Sequence, residues 1–336
     1  MIKEAINMLV NNIDLSEAET AATIKEIMEG QATDAQIGAF LTALRIKGET
    51  VEEITGAARI MREKATTIQA PEGVLDTCGT GGDMSHTFNI STTTAFVVAG
   101  AGIPVAKHGN RSVSSQSGSA DVLEALGVKI DLSPQNVEKC LFETGFGFLF
   151  APLFHPAMKF AIGPRREIGL RTIFNILGPI TNPAGARRQI LGVFSDKLTR
   201  ILAEVIGKLG AIDAMVVHGE DGLDEISISD KTIISRFRNG NVENFFIQPE
   251  DFGLRRGTID EIRGGTKEEN ASITMSILKG EAGFKRDIVL MNSAIAIVVA
   301  GKTEDLQEAF NIASESIDSG KALRKLEEVK KMSNKL

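Results

Sequence analysis

Apolar residues recur at helical spacing in the first part of the chain. Ile37, Phe40, Leu41 and Leu44 fall at i, i+3, i+4 and i+7, which makes one inward-facing stripe of a helix. Ser16-x-x-Glu19 and Thr50-x-x-Glu53 have the spacing of capping boxes, in which hydroxyl and carboxylate satisfy each other's backbone N–H groups. Residues 1–68 therefore read as a small N-terminal helical domain. The pattern changes near Pro71. Val74-Leu75-Asp76-Thr77 reads as a strand running straight into a glycine-rich turn, and short apolar runs then alternate with helical patterns. Ile103 to Ala106, Phe146 to Ala151, Ile190 to Phe194 and Ala214 to His218 read as buried strands. Thr92 to Ala99, Asp121 to Leu126, Pro134 to Leu141 and Leu198 to Leu209 read as helices, with Ser133-Pro134 a cap followed by proline at the first helical position. Such alternation predicts an α/β domain over 69–336, with a mostly parallel central sheet flanked by helices. The polar, Pro/Gly-punctuated segment 155–187 interrupts the rhythm. The Lys-rich end (Lys325, Lys330, Lys331, Lys335) reads as a solvated terminal helix.

Composition narrows the function classes. A net charge of −7 over 336 residues argues against a nucleic-acid binder, so an anionic ligand would need a local cluster of positive groups. No run approaches a membrane span, and the charged first residues do not form a signal peptide. Two cysteines, Cys78 and Cys140, give neither a disulfide framework nor metal spacing, so a cytoplasmic location is expected.

Candidate chemistry begins at Cys78-Gly79-Thr80-Gly81-Gly82-Asp83. Glycines after a strand let backbone N–H groups converge on an anion. The run is neither a lysine-bearing nucleotide loop nor a dinucleotide fingerprint, and a merely tight turn is the plain alternative. Asn89-Ile90-Ser91-Thr92 sits at a helix start, where free N–H groups favour phosphate, although Ser91 or Thr92 would serve equally as a cap. Lys107-His108-Gly109-Asn110-Arg111-Ser112-Val113-Ser114-Ser115 follows another strand with two cations and several hydroxyls. Ligands of open α/β sheets bind beyond the carboxyl ends of strands, where both loops fall. Asp224-Glu225 is an adjacent acid pair suited to Mg²⁺ shared with substrate phosphates, and only this context lifts it above a solvated turn. His86, His108, His155 and His218 have no metal spacing; His155 and His218 read as structural. The residues alone imply a protein that binds a polyphosphate metabolite with Mg²⁺ and transfers part of it.

Those motifs, with Gly163-Pro164-Arg165-Arg166 and Asn175-Ile176-Leu177-Gly178-Pro179, occur in the order seen in the anthranilate phosphoribosyltransferase family, which the chain resembles from its helical start to Asn292-x-Ala294. The resemblance implies a helical domain that recruits segment 155–187, a homodimer formed through that domain, and the architecture of pyrimidine nucleoside phosphorylases. It implies that Gly79, Gly82, Asp83 and Thr87 line the phosphoribosyl pyrophosphate site, and that Asn89, Ile90, Ser91 and Thr92 hold its phosphates. Lys107, His108, Gly109, Asn110, Arg111, Ser112, Val113, Ser114 and Ser115 would close over pyrophosphate and ribose, with Ser119 nearby. Ser91, Asp224 and Glu225 would bind Mg²⁺, while Gly79, His108, Asn110 and Arg165 would contact anthranilate. The chain departs from the family at Met84 and His86, where small residues are usual, and their bulk is expected to stiffen the loop.

The implied reaction needs no covalent intermediate. The neutral aryl amine attacks C1 of the ribose with inversion, Lys107 and Mg²⁺ neutralise the leaving pyrophosphate, and Arg165 and Asn110 orient the amine. A nucleoside phosphorylase of the same fold would need a nucleobase-reading set, whereas the Arg165 and Asn110 segments suit a carboxylate-bearing amine. The other phosphoribosyltransferase fold would follow its acids with a Thr-Gly loop, but here Ile226-Ser227-Ile228 follows. A non-catalytic paralogue fits poorly with the intact acid pair and Arg165.

Overall fold

The structure, a computed structural model, describes residues 1–112 and 117–336. The chain opens with α1 (Ile2–Val10), α2 (Glu17–Met28), α3 (Asp34–Lys47) and α4 (Val51–Glu63). Both expected capping boxes form, Ser16 accepting from the Glu19 N–H and Thr50 from the Glu53 N–H. Ile37, Phe40, Leu41 and Leu44 are all buried, as their spacing predicts.

After Pro71 the chain alternates between strand and helix. In order come β1 (Leu75–Gly79), α5 (Ile90–Gly100), β2 (Val105–Gly109), α6 (Ser119–Ala125), α7 (Pro134–Thr144), β3 (Phe146–Phe150) and α8 (Ala151–Phe154). Then follow α9 (Lys159–Ile168), α10 (Ile173–Leu177), β4 (Arg188–Gly192), α11 (Lys197–Lys208), β5 (Asp213–Gly219), β6 (Thr232–Arg238) and β7 (Asn241–Ile247). The last four helices are α12 (Lys267–Leu278), α13 (Phe284–Val299), α14 (Leu306–Asp318) and α15 (Lys321–Lys335). Among the described residues seven strands form one sheet in the order β3-β2-β1-β4-β5-β6-β7. The first five are parallel, and β6 and β7 add an antiparallel hairpin. From β1 the chain builds outward to β2 and β3, then returns to lay β4 on β1's other edge. A crevice opens at such a reversal, beyond the carboxyl ends of the two strands.

Segment 155–187 leaves the sheet: α9 packs on α2 and α3, and α10 on α3 and α4. The bundle's core is continuous with the sheet face covered by α11, so Phe40 and Leu44 share one apolar cluster with Leu191 and Val216. The opposite face is covered mainly by α5, α13, α14 and α15. Inside the sheet, the wholly buried Asp76 accepts from Asn182 Nδ2 at 2.8 Å, from Gln189 Nε2 at 3.5 Å and from the His108 N–H at 3.3 Å. Burial lifts its pKa to about 6, against the pull of Lys107.

Some expected boundaries shift. β2 extends to Gly109, so Lys107 and His108 belong to a strand and not to a loop, because backbone pairing with β3 continues beneath their polar side chains. Ala151 opens α8 instead of ending β3, and β4 stops at Gly192, short of Phe194. The β6–β7 hairpin was not anticipated. Its outer strand is mostly exposed and so lacks the apolar run that marks the inner strands.

Candidate active site

The crevice between β1 and β4 is walled by glycine for a steric reason. A Cβ at Gly79 would lie 2.6 Å from Asp224 Oδ2, and one at Gly192 would lie 1.5 Å from the Asp224 carbonyl oxygen. Only hydrogen side chains let the loop after β5 come this close. The turn after Gly79 then passes through left-handed backbone at Gly81 (φ 68°) and Gly82 (φ 76°), and also at Met84 (φ 63°) and His86 (φ 53°). The last two conformations cost an L-residue roughly 1–2 kcal/mol each. The far end of the turn is tied down by the Gly264 N–H, which donates to the His86 carbonyl at 2.9 Å, and by a bridge between Thr87 and Arg263. Its middle is held by Arg171, whose guanidinium donates to the Gly82 carbonyl and lies 4.6 Å from the centre of the Phe194 ring.

The acid pair closes onto both anion-binding backbones. Asp224 Oδ2 accepts from the Gly81 N–H at 2.7 Å, and Glu225 Oε1 accepts from the Ser91 N–H at 3.0 Å in the first turn of α5. Desolvation, and then the neighbouring Asp83 carboxylate, push the Asp224 pKa up to about 7. Glu225 is raised by desolvation and by Asp224. Their raised pKa values reflect carboxylates crowded together without a compensating cation, and the donors Asp224, Glu225 and Ser91 are all oxygens, which suits a hard divalent cation such as Mg²⁺. Among the described residues no three acidic, histidine or cysteine side chains form a closed metal cage. Such an ion would therefore draw further oxygens from substrate and water.

Lys107 reaches this site from below. It is 1% exposed, and its ammonium donates to the Thr77 carbonyl at 2.6 Å and to Ser91 Oγ at 3.3 Å. Burial lowers its pKa, and the charges of Asp76 and Glu225 oppose that shift. Here the ammonium braces the floor of the site. Strand alternation sends His108 to the opposite face, where its Nδ1 lies 3.1 Å from the Gly178 carbonyl oxygen. His155 stands beside it with ring centres 5.1 Å apart, and the Nε2 atoms of both rings are buried without a partner among the described residues. Desolvation holds His108 down to about 3 and His155 to about 4, so both rings are neutral at pH 7.

Half-buried Arg165 on α9 lies 5.3 Å from the centre of the Phe174 ring, with its pKa lowered by desolvation. Among the described residues it forms no ion pair, so pairing with Glu167 on its own helix does not account for it. Asn110 is exposed at the end of β2, and its side chain accepts from the Arg111 N–H at 2.8 Å. The other expected residues divide. Asn89 faces the site but is braced by Ser117 and Asn270. Thr92 is buried, and its hydroxyl has no partner among the described residues. Ile90 buries its side chain and donates its N–H to the Phe88 carbonyl, so helix packing uses it fully. Arg111 pairs with Asp121 and Glu124 on α6 and so is no free phosphate cation. Ser119 lies against Gly109 and bonds the Asn110 carbonyl, while the Ser112 N–H bonds Asp121. Val113, Ser114 and Ser115 lie outside the described residues. Sequence reasoning missed His155 and Arg171; neither has a spacing signal, and each reaches the crevice only because 155–187 folds back onto the helices.

Residues 3–65 match the helical bundle domain, and residues 71–323 the α/β domain, of a glycosyl transferase family. The anthranilate phosphoribosyltransferase of Symbiobacterium thermophilum is 55% identical over 336 residues, covering 100% of this chain and 98% of the relative. The crystal structure of the Thermus thermophilus enzyme of that name superposes with a TM-score of 0.93 at 40% identity, covering 98% of this chain and 99% of the other. The Saccharomyces cerevisiae enzyme, in complex with phosphoribosyl pyrophosphate and Mg, gives 0.92 at 29% identity, covering 100% and 98%. With both domains matched and its full length aligned to such relatives, the chain belongs to the anthranilate phosphoribosyltransferase family.

Proposed function

We infer that this protein transfers the phosphoribosyl group of phosphoribosyl pyrophosphate to the amine of anthranilate, releasing pyrophosphate, as a Mg²⁺-dependent step of tryptophan biosynthesis. The observation that carries the reading is the approach of Asp224 and Glu225 to the Gly81 and Ser91 N–H groups. It joins anion-binding backbone and metal-binding carboxylates at the crevice of the sheet. Asp224, Glu225 and Ser91 would hold Mg²⁺, which when bound supplies charge that stabilises departing pyrophosphate. Lys107 fixes Ser91 and adds positive charge from beneath. Arg165 would take the anthranilate carboxylate, with Asn110, Gly79 and neutral His108 beside the ring. The amine then attacks C1, the C1–O bond breaks with its electron pair leaving on pyrophosphate, and the nitrogen sheds a proton. Inversion at C1 is expected. Gly82, Asp83, Thr87, Asn89 and Thr92 line the phosphate side of this reading.

The domain division at 68/69, with 155–187 joining the helical part, is supported by the packing of α9 and α10 on α2 to α4. A homodimer through the helical domain is supported by exposed apolar side chains there, Val10, Ile13 and Ile46. No helix among the described residues is long and apolar enough to cross a membrane, and a cytoplasmic setting fits this biosynthetic step. The test follows anthranilate fluorescence. Decay that requires both phosphoribosyl pyrophosphate and Mg²⁺ is expected, and an unchanged signal with both present overturns the reading.

A further inference from the structure

Asn292 sits in the middle of α13, within an unbroken buried run from Ile288 to Val299. A primary amide in such a place costs free energy unless every polar atom is paired. Here each one is. Oδ1 accepts from the Ile226 N–H at 3.1 Å, and Nδ2 donates to the Ile226 carbonyl at 3.1 Å and to the Ile288 carbonyl at 2.8 Å. The side chain thus grips both backbone polar groups of one residue, as a neighbouring strand would. That residue directly follows Glu225, and the gripped N–H belongs to the Glu225–Ile226 peptide itself. Helix packing alone does not require this arrangement, since an aliphatic residue would fill the same space without the demand for partners. The other flank of the loop is held separately, by Ser227 and Ser229 on Asp221.

We propose that Asn292 is a positioning residue: it fixes the peptide carrying Glu225 so that the acid pair meets the divalent cation in one geometry. The inference rests on the reading that Asp224 and Glu225 hold Mg²⁺. Groups that orient metal ligands from behind typically change metal affinity 10–100-fold when removed. Asn292→Asp is nearly isosteric but loses both amide donors, and Asn292→Ser provides a smaller second variant in case the first does not fold.

The measurement is Mn²⁺ binding by electron paramagnetic resonance, to full-length protein with phosphoribosyl pyrophosphate and no anthranilate, well below the melting temperature. About tenfold weaker binding is expected in either variant, with a matching rise in the Mg²⁺ concentration for half-maximal rate and an anthranilate KM within about twofold of wild type. A lowered melting temperature with unchanged Mn²⁺ affinity overturns the inference, because a purely structural asparagine behaves that way. Glu225→Gln separates the two readings. If it leaves Mn²⁺ binding intact, the metal assignment itself falls; if it weakens binding and the Asn292 variants do not, only the positioning role falls.

Discussion

Arg165→Met removes a charge while keeping an unbranched apolar stem over the Phe174 ring. In the structure the guanidinium is half-buried, partly desolvated and without an ion pair among the described residues, so it bears a solvation cost that the Phe174 ring offsets only in part. A substrate carboxylate would offset it. Losing a charge-assisted hydrogen bond of that kind costs about 1.5–3 kcal/mol, which is roughly a tenfold to hundredfold rise in the anthranilate KM. The KM for phosphoribosyl pyrophosphate should stay within about twofold. Stability should move the other way. The lost cation–π contact is worth about 0.5–1 kcal/mol, and relief of the desolvated charge compensates it, so the melting temperature should hold or rise. Binding sites commonly trade stability for function in this sense. Steady-state kinetics with each substrate varied in turn, beside thermal melts, gives both readouts. A mutant that melts earlier with both KM values unchanged would make Arg165 a structural cation, and one that loses only phosphoribosyl pyrophosphate affinity would put it on the wrong wall.

Three further outcomes are expected. Met84→Gly relieves about 1 kcal/mol of left-handed strain and gives back a similar amount in chain entropy; turnover should rise where loop opening limits it, with little change in melting, and a lower maximal rate would count against this. Arg171→Leu frees the Gly82 carbonyl, so amide exchange across 80–86 should quicken and the phosphoribosyl pyrophosphate KM rise about tenfold; unchanged exchange would show that Arg171 restrains nothing. His155 stays neutral when folded but takes a proton near pH 6.5 when unfolded, so its contribution is complete above pH 6.5 and is lost as pH falls toward 4. By pH 5 that amounts to about 2 kcal/mol, and His155→Phe should therefore lose less melting temperature between pH 7 and pH 5 than wild type does; an equal loss refutes it.

Much of this was legible in the sequence because local rules decide it. The capping boxes, the stripe at Ile37 to Leu44, and the strand running into Gly79 each depend on neighbours within a few positions. The glycine turn at Gly81 and the helix start at Ser91, whose N–H groups meet the acid pair, were readable from glycine and hydroxyl placement. What stayed hidden depends on contacts across the chain. Lys107 looked like a loop cation because its strand carries polar residues, and only pairing with β3 shows that it points under the floor. Nothing near Arg111 in sequence shows that α6 brings Asp121 and Glu124 to it. Arg171 and His155 have no periodic signature, because their positions follow from how α9 and α10 dock. Asn292 stood out in the sequence only as the last motif of the resemblance, and nothing nearby in sequence names Ile226 as its partner.

The buried carboxylate of Asp76 also bears on how the chain is made. During synthesis β1 emerges long before β4, and Asp76 precedes its partner Gln189 by 113 positions. At ribosomal speeds of about 5–20 residues per second, that gap lasts roughly 6–23 s. Throughout it, the edge of β1 that will receive β4 is open, and an open apolar edge invites pairing with the wrong strand. An aspartate inside that strand makes a wrong partner costly, since any apolar strand closing over it would strand a charge. Gln189 arrives on β4 and Asn182 just ahead of it, and each brings an amide that donates to Asp76. Asp76 thus makes the burial of β1 conditional on the amides of Asn182 and Gln189, so the carboxylate is satisfied only when the crevice is completed.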